Sequence, residues 1–349
     1  MQLIKSDINI DFLGKQKIGF VFSAILIIAS LTGLIVHKGP NYGIDFSGGA
    51  LIQVKFTQDI SIADVRDSLA GLDLKDLSVQ DFGEPEDHEF LIRTGSTETV
   101  GKGLAQSVSA AIIQGTGVTP EIRRVEMVGP QVGDELKKQA LLAIFYSLLF
   151  ITIYISGRFE LKWILSGVTA GALMTAVYFL SVFNVSMPVL ITGALVVSLV
   201  LFWRLRLKFA MGALIALIHD VFITVGIFSI LNLDFSLPII AALLTIIGYS
   251  LNDTIIVFDR IRENIKGESS KSALPDLFNK SINQTLSRTI LTSVTTLIVL
   301  LALFFLGGDI IHNFAFAMII GVLIGTYSSI FVASPIVLLW GGERPFAKK

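Results

Sequence analysis

The chain has 349 residues and a net charge of −1 at pH 7. Hydrophobic residues make up 53% of it, charged residues only 16%, and the mean hydropathy is +0.74. This much apolar surface excludes a soluble fold, and the absence of cysteine excludes disulfides and thiolate metal sites.

Apolar runs near the roughly 20-residue length of a bilayer crossing predict eight membrane spans. They lie at about 18–36, 139–157, 163–183, 188–203, 209–231, 237–258, 288–306 and 314–340. The first run is longer than the apolar core of a signal peptide and precedes no small-x-small cleavage site, so we expect an uncleaved anchor. An even number of spans places both termini on the same side of the membrane.

The distribution of basic residues predicts which side that is. Ten of the 27 Lys and Arg residues lie within 38–138, and the short turns at 184–187, 232–236 and 307–313 contain none. Because positive charge is retained in the cytoplasm, we expect cytoplasmic termini and basic loops. The 17 other basic residues are Lys5, Lys15, Lys17, Arg158, Lys162, Arg204, Arg206, Lys208, Arg260, Arg262, Lys266, Lys271, Lys280, Arg288, Arg344, Lys348 and Lys349.

The segment 38–138 is the one sizeable water-soluble region, with 16 acidic and 10 basic residues. Its patterns predict strands near 50–56, 77–82, 90–93 and 121–128. Helices are predicted from Ile62, after the N-cap candidate Ser61, and over about 103–114. The order βαββαβ is that of the ferredoxin-like fold. We therefore expect one α+β periplasmic domain, in which no cluster of His, Ser and acidic residues resembles an active site.

A short motif occurs twice between the predicted spans. RFELKW at 158–163 is similar to RLRLKF at 204–209, and each is followed by an apolar run and then by Ser-x-Pro, at 186–188 and 236–238. This pattern suggests a duplicated helical hairpin, although two basic clusters at span ends would produce part of it by chance. The predicted divisions are 1–37, 38–138, 139–162, the hairpin 163–208, and 209–349, which contains a cytoplasmic loop at 259–287.

Four ionisable residues lie within the predicted spans. An acid or histidine in a span costs several kcal/mol and is a functional-site hypothesis by default. His219 and Asp220 lie near the middle of the fifth span, Asp253 lies near the cytoplasmic end of the sixth, and Arg288 opens the seventh. Depth alone ranks Asp220 first. Simpler interpretations are an interhelical hydrogen-bond pair for His219 and Asp220, a boundary position for Asp253, and snorkelling for Arg288.

The surroundings of Asp253 weaken the boundary interpretation. Tyr249 and Asn252 form a polar helix face with it, and Gly248 permits close helix packing on that face.

Several segments closely resemble the SecF family, the smaller membrane subunits of the SecD–SecF pair that assists bacterial protein export. Motifs found in order along one chain are a highly specific signal, and the resemblance covers everything except about 163–208. The motifs are NYGIDFSGG at 41–49, VGPQVG at 128–133, ALIALIHD at 213–220, IGYSLNDT at 247–254 followed by DRIREN at 259–264, QTLSRTILTS at 284–293 and GTYSS at 325–329.

The resemblance implies a fold of the resistance-nodulation-division type in the bacterial inner membrane, with proton flow through intramembrane charges moving the external domain. It implies proton-coupling roles for Asp253 and Arg288, which reverses the ranking by depth, with Asn252 in the same motif and His219 and Asp220 as secondary candidates. Motif or structural residues are Asp45, Gly48, Gly49, Gly248 and Tyr249. Implied partners are a SecD-like subunit, a SecYEG-type channel, accessory membrane subunits, unfolded preprotein and the lipid bilayer.

The chain departs from this family's usual six spans by the extra hairpin at 163–208, whose role the sequence leaves open. Two other functions also stay open: one half of a proton-coupled exporter of small molecules or lipids, and a structural docking subunit that does not titrate. We expect no enzyme activity, no cofactor and no nucleic-acid partner, because the sequence has no phosphate loop, metal cluster or nucleophile–base pair. H⁺ is the expected driving ion, with Na⁺ as the alternative.

Overall fold

A computed structural model describes residues 9–72, 74–83, 85–95, 102–182, 185–267 and 273–340. The predicted turn at 184–187 lies partly outside the described residues, as does the loop 259–287. Five basic residues used to predict orientation also lie outside them: Lys5, Lys271, Arg344, Lys348 and Lys349.

Eight helical segments in the described residues are long and apolar enough to cross a membrane, which confirms the predicted number. Each follows an apolar run of the sequence because a helix satisfies all its backbone hydrogen bonds internally. They are α1 (Gln16–Val36), α5 (Pro130–Glu160), α6 (Trp163–Ser181), α7 (Met187–Arg204), α8 (Lys208–Ile230), α9 (Leu237–Gly267), α10 (Leu274–Leu306), and α11 (Asp309–Ser328) continued by α12 (Ser334–Leu339).

Three helices extend well beyond the predicted spans. Helix α5 begins at Pro130 and therefore continues without a break from the external domain into the membrane. Helices α9 and α10 reach Gly267 and back to Leu274, so much of the predicted cytoplasmic loop is helical. The sequence patterns marked where the apolar runs end, whereas a helix continues into water as long as polar side chains and favourable caps support it.

The last span contains a π-helical segment, Ser329–Ala333, between α11 and α12. The Ser334 hydroxyl donates to the carbonyl oxygen of Ser329 at 2.8 Å, five residues earlier. Such segments are rare in proteins, and those that occur often lie at functional sites.

The external domain has the predicted ferredoxin-like topology. Its strands are β1 (Gly49–Lys55), β2 (Ser78–Phe82), β3 (Glu89–Thr94) and β4 (Glu121–Val128), all antiparallel in the order β2-β3-β1-β4. Helices α3 (Ile62–Leu69) and α4 (Lys102–Thr116) pack on the face that contains Ile52, Val54 and Ile92. Ser61 caps α3, as predicted, by accepting from the Asp64 backbone N–H at 3.1 Å. A short helix, α2 (Ile44–Ser47), precedes β1 and was not predicted.

Helix α8 lies at the centre of the membrane bundle and packs against α1, α5, α9 and α11. The hairpin α6–α7 lies at the periphery, against α5 and α8, and most of its outward-facing side chains are exposed hydrophobics. The two repeated loops have a left-handed residue at different motif positions, Leu161 and Arg206, so their backbones are not equivalent.

Candidate functional site

Asp253 is a buried acid with an unsatisfied oxygen. It lies on the inner face of α9, its side chain is 1% exposed, and Oδ2 has no hydrogen-bond partner. On the facing helix α10, the buried hydroxyl of Thr289 also has none. A buried polar atom left unpaired costs about 1–3 kcal/mol. Oδ2 of Asp253 is therefore an atom that a proton, an ion or a water molecule would stabilise.

Arg288 is the candidate counter-charge for the Asp253 carboxyl. It interacts electrostatically with Asp253 from α10, yet in the described part of the chain no ion pair within 4 Å joins the two side chains. Arg288 is exposed and lines a crevice of about 520 Å³ between α9 and α10, together with Asn252 and Gln284. The pair is thus separated, with the arginine on the side of the crevice.

The other predicted residues of α9 lie along its outer surface. Gly248 and Asn252 are exposed, and no atom lies within 4 Å of a Cβ built on Gly248. Tyr249 is half-buried, and its hydroxyl donates to Thr296 of α10 at 3.3 Å. With Arg288, these residues form a polar strip on the surface of the bundle, which is an unfavourable surface to present to lipid.

Both carboxylate oxygens of Asp220 have hydrogen-bonding partners. Asp220 is 0% exposed and accepts from the hydroxyls of Ser250 on α9 at 2.6 Å and Ser328 on α11 at 2.8 Å. Its second oxygen is 2.9 Å from Nδ1 of His219. The structure therefore ties Asp220 to two neighbouring helices and does not bring it together with Asp253.

The network around Asp220 continues to α1. Nε2 of His219 lies 3.1 Å from the Ser23 hydroxyl, which in turn lies 2.9 Å from the hydroxyl of Tyr327. The Tyr327 hydroxyl also donates to the Gly19 carbonyl at 2.5 Å. The sequence analysis missed these partners because Ser and Tyr are unremarkable in a span. The available signals were that Tyr327 and Ser328 lie within the GTYSS segment and that Ser250 lies within IGYSLNDT.

Asp45 connects the external domain to α9. Its Oδ2 accepts from the backbone N–H of Leu237 at 2.9 Å, and Leu237 is the first residue of α9. The same helix carries Asp253 sixteen residues further on. A carboxylate at a helix N-terminus satisfies a free backbone donor and is favoured by the helix dipole. Asp45 therefore caps a membrane helix to which it is not adjacent in the chain.

Arg93 of β3 strengthens this junction. Its guanidinium lies 3.4 Å from the Asp234 carboxylate and donates to the Tyr42 carbonyl and, at 3.0 Å, to the Ser47 hydroxyl. Backbone bonds from Phe235 to Asn41 and from Gly43 to Phe235 join the same segments. Burial raises the pKa of the Asp234 carboxyl, and the nearby Arg93 charge opposes that rise.

The paired glycines have a structural role at this junction. Gly48 and Gly49 have φ angles of 70° and 115°. A Cβ on Gly49 would lie 2.3 Å from the Thr94 carbonyl oxygen, and one on Gly48 would lie 2.9 Å from Cα of Pro130. Only glycine adopts these angles at low cost while allowing such close backbone approach.

Among the described residues, no group of three or more His, Asp and Glu side chains lies close enough together to hold a metal ion.

Comparisons with known proteins agree with these features. The profile described as "Protein export membrane protein SecD/SecF, C-terminal" matches residues 108–194 and again 181–343, and the "SecD/SecF GG Motif" profile matches residues 33–60. The duplication itself stays a prediction.

Curated relatives and solved structures give the same family. Proteins named "Protein translocase subunit SecF" are 42% identical in Calditerrivibrio nitroreducens, covering 97% of this chain and 96% of the relative, and 41% identical in Vibrio alginolyticus, covering 98% and 93%. The crystal structure of SecDF, described as a translocon-associated membrane protein from Thermus thermophilus, is similar with a TM-score of 0.71 and 30% identity. That similarity covers 98% of this chain, which spans 40% of the SecDF chain.

Proposed function

The chain belongs to the SecF family of protein translocase subunits, and we propose that it couples the proton motive force to late steps of preprotein export. In this proposal it acts with a SecD-like subunit beside a SecYEG-type channel in the bacterial inner membrane. The termini and the basic loops are cytoplasmic, and residues 38–138 are periplasmic, where they meet the emerging preprotein.

The observation that carries the proposal is the unsatisfied oxygen of Asp253. A buried carboxylate without a partner is unfavourable, so proton uptake there removes a cost. Arg288 lines the crevice between α9 and α10, and so does Asn252, the residue that precedes Asp253. A displacement of Arg288 toward or away from Asp253 changes the field at the carboxyl and therefore whether it holds a proton.

The polar strip on α9 and α10 supports a partner in the membrane. Asn252 and Arg288 are exposed there, and Gly248 leaves room for a helix to pack closely. A SecD-like subunit would cover these groups and seal the path to Asp253. Accessory membrane subunits would contact other faces.

Helix α9 supplies the mechanical connection between the membrane and the external domain. Asp253 lies sixteen residues from Leu237, or about 24 Å along the helix. Asp45 holds that end of α9, so a shift of the helix is transmitted to α2 and then to the sheet. Each proton that moves down about 100 mV makes roughly 2.3 kcal/mol available for the motion.

The test is translocation into proteoliposomes that contain the channel, the SecD-like subunit and this chain, with and without a proton motive force. Asp253→Asn keeps size and hydrogen bonding but cannot titrate, so stimulation by the force should fall to the level without this chain. Arg288→Lys should be poorly tolerated, because a point charge does not reproduce a planar guanidinium.

Asp220→Asn is the matched control and should have a milder effect. Normal force-dependent export by Asp253→Asn would contradict the proposal and favour a docking subunit that does not titrate. Loss of the dependence in Asp220→Asn alone would move the proton site to Asp220. Copurification of each variant with the SecD-like subunit shows that assembly is intact.

A further inference from the structure

Three helix ends meet around a second cavity, at the end of the bundle that carries the basic loops. The cavity measures about 310 Å³. Its lining includes Trp203 at the end of α7, Arg206 in the turn that follows, Lys208 at the start of α8, and Trp340 just after α12. It is remote in the chain from the residues of the proton site. Trp203 and Arg206 belong to the hairpin for which the proton mechanism has no use.

The charges at this cavity are unbalanced. Among the described residues, no ion pair within 4 Å joins Arg206 or Lys208 to an acid, and none of the residues that line the cavity is acidic. Glu160 approaches the same turn from α5 and interacts electrostatically with Lys208. Its carboxylate accepts from the Phe209 backbone N–H at 2.9 Å and lies outside the lining, so one acid stands against two cations there. The first turn of α8 adds the positive end of its helix dipole. The cavity therefore favours an anion.

The apolar surroundings extend from the cavity toward the bilayer. Val196, Val200 and Trp203 are spaced by four and three residues on α7, so they lie on one face, and each is about half exposed. Trp340 is 42% exposed on the other side of the cavity. Tryptophan rings are favoured at the level of lipid headgroups, where one edge meets water and the other meets acyl chains.

From this arrangement we propose that the cavity binds the headgroup of an anionic phospholipid, with its acyl chains along the exposed face of α7. Arg206 and Lys208 contact the phosphodiester, and Trp203 and Trp340 flank the glycerol region. An inorganic phosphate would satisfy the same two cations but would leave the apolar face of α7 without a role. The hairpin thus contributes a lipid site to the periphery of the bundle.

The test uses tryptophan quenching in vesicles, because two of the chain's three tryptophans line the cavity. The third, Trp163, is replaced by Phe to give the parent protein. The full-length parent is reconstituted in phosphatidylcholine vesicles that contain equal fractions of dibrominated phosphatidylglycerol or dibrominated phosphatidylcholine. Stronger quenching by the brominated anionic lipid is expected, since the ring edges lie beside its chains.

Arg206→Gln with Lys208→Gln should remove that preference. Each basic residue near an anionic surface contributes about fivefold, so the pair should lower the preference roughly 25-fold. The control, Lys15→Gln with Lys17→Gln, removes the same charge from exposed positions outside the lining and should keep it. Exchange of the two cations, Arg206→Lys with Lys208→Arg, should also keep it and shows that the loop tolerates substitution.

Three results would overturn the lipid site. The first is equal quenching by both brominated lipids in the parent. The second is loss of the preference in the control pair as well, which would indicate general surface charge. The third is a fluorescence change on adding inorganic phosphate to pure phosphatidylcholine vesicles without any preference for the anionic lipid, which would assign the cavity to a free anion.

Discussion

Asp220 and Asp253 are both buried acids in spanning helices, but their surroundings are opposite. Asp220 receives hydrogen bonds from two serine hydroxyls and lies beside a histidine nitrogen, whereas one oxygen of Asp253 is unpaired. Hydrogen bonds to a carboxylate hold it in one state and one position. An unpaired oxygen near an accessible crevice leaves the carboxyl responsive to its surroundings. The two acids therefore differ in their hydrogen bonding more than in their depth.

The largest expected difference between the two acids is in stability. Asp220→Ala strands Ser250, Ser328 and His219 in the bundle interior, so the free energy of unfolding should fall by about 3–5 kcal/mol. Asp253→Ala removes a group that is already unsatisfied and should change it by less than about 1 kcal/mol. Reversible unfolding in mixed micelles measures both. Equal losses in the two variants would contradict the contrast.

The next effect isolates a single bond of the Asp220 network. Ser328→Ala removes one hydroxyl donor to Asp220 and should cost about 1 kcal/mol. Thr245→Ala is the control, because Thr245 is exposed and its hydroxyl donates only to the Ala241 carbonyl of its own helix. The same unfolding assay should show little change for the control. If Thr245→Ala lowered the free energy of unfolding as much as Ser328→Ala does, the bond to Asp220 would contribute no more than an ordinary hydroxyl on a helix surface.

A third acid, Asp45, extends the comparison outside the bundle. Asp45→Ala removes the cap on α9 and should lower local stability there by about 1 kcal/mol. Hydrogen exchange at the first turn of α9 should then accelerate roughly fivefold, while exchange in β1 stays unchanged. Asp45→Asn keeps an acceptor oxygen and should have a smaller effect. Unchanged exchange in Asp45→Ala would show that the external domain does not hold α9 through this contact.

The smallest expected effect concerns Asp234, whose pKa in the folded protein is raised by burial. Because of this raised pKa, the folded state binds the Asp234 proton more tightly than the unfolded state does. The contribution of Asp234 to stability is therefore fully present below its ordinary pKa of about 3.9 and is lost as the pH rises through its pKa in the folded protein. Asp234→Asn cannot titrate. The difference in melting temperature between wild type and Asp234→Asn should therefore vary just above pH 4 and be constant near pH 7. A difference that is constant across this range would contradict the assignment.

The eight spans and the ferredoxin-like domain could be predicted because each depends on a local pattern. A span needs only a long apolar run, and the order of elements from Ile62 to Val128 follows from alternation and caps. The helix ends at Pro130, Gly267 and Leu274 could not be predicted, because beyond the apolar run helix and loop differ by small terms. The short helix α2 is too brief to leave a periodic signal.

Depth and composition identified the same few intramembrane residues, but they ranked Asp220 above Asp253. The ranking changed only through the family motifs around Asp253 and Arg288. No local pattern distinguishes the two acids, because their difference resides in residues that lie far away in the chain, such as Ser328 for Asp220. The proton-coupling roles of both acids stay predictions until the export assay is made.

Membrane insertion and the kind of external domain follow from the amino-acid sequence, because hydrophobic length and strand alternation act over a few tens of residues. The tertiary structure alone decided which polar atoms find partners. It brought Asp45 to the start of α9, placed Ser250 and Ser328 on Asp220, and left Oδ2 of Asp253 unpaired. Hydrogen bonds act over about 3 Å between residues that the chain separates by as many as 308 positions, as for Tyr327 and Gly19, so packing has to bring them together before they form.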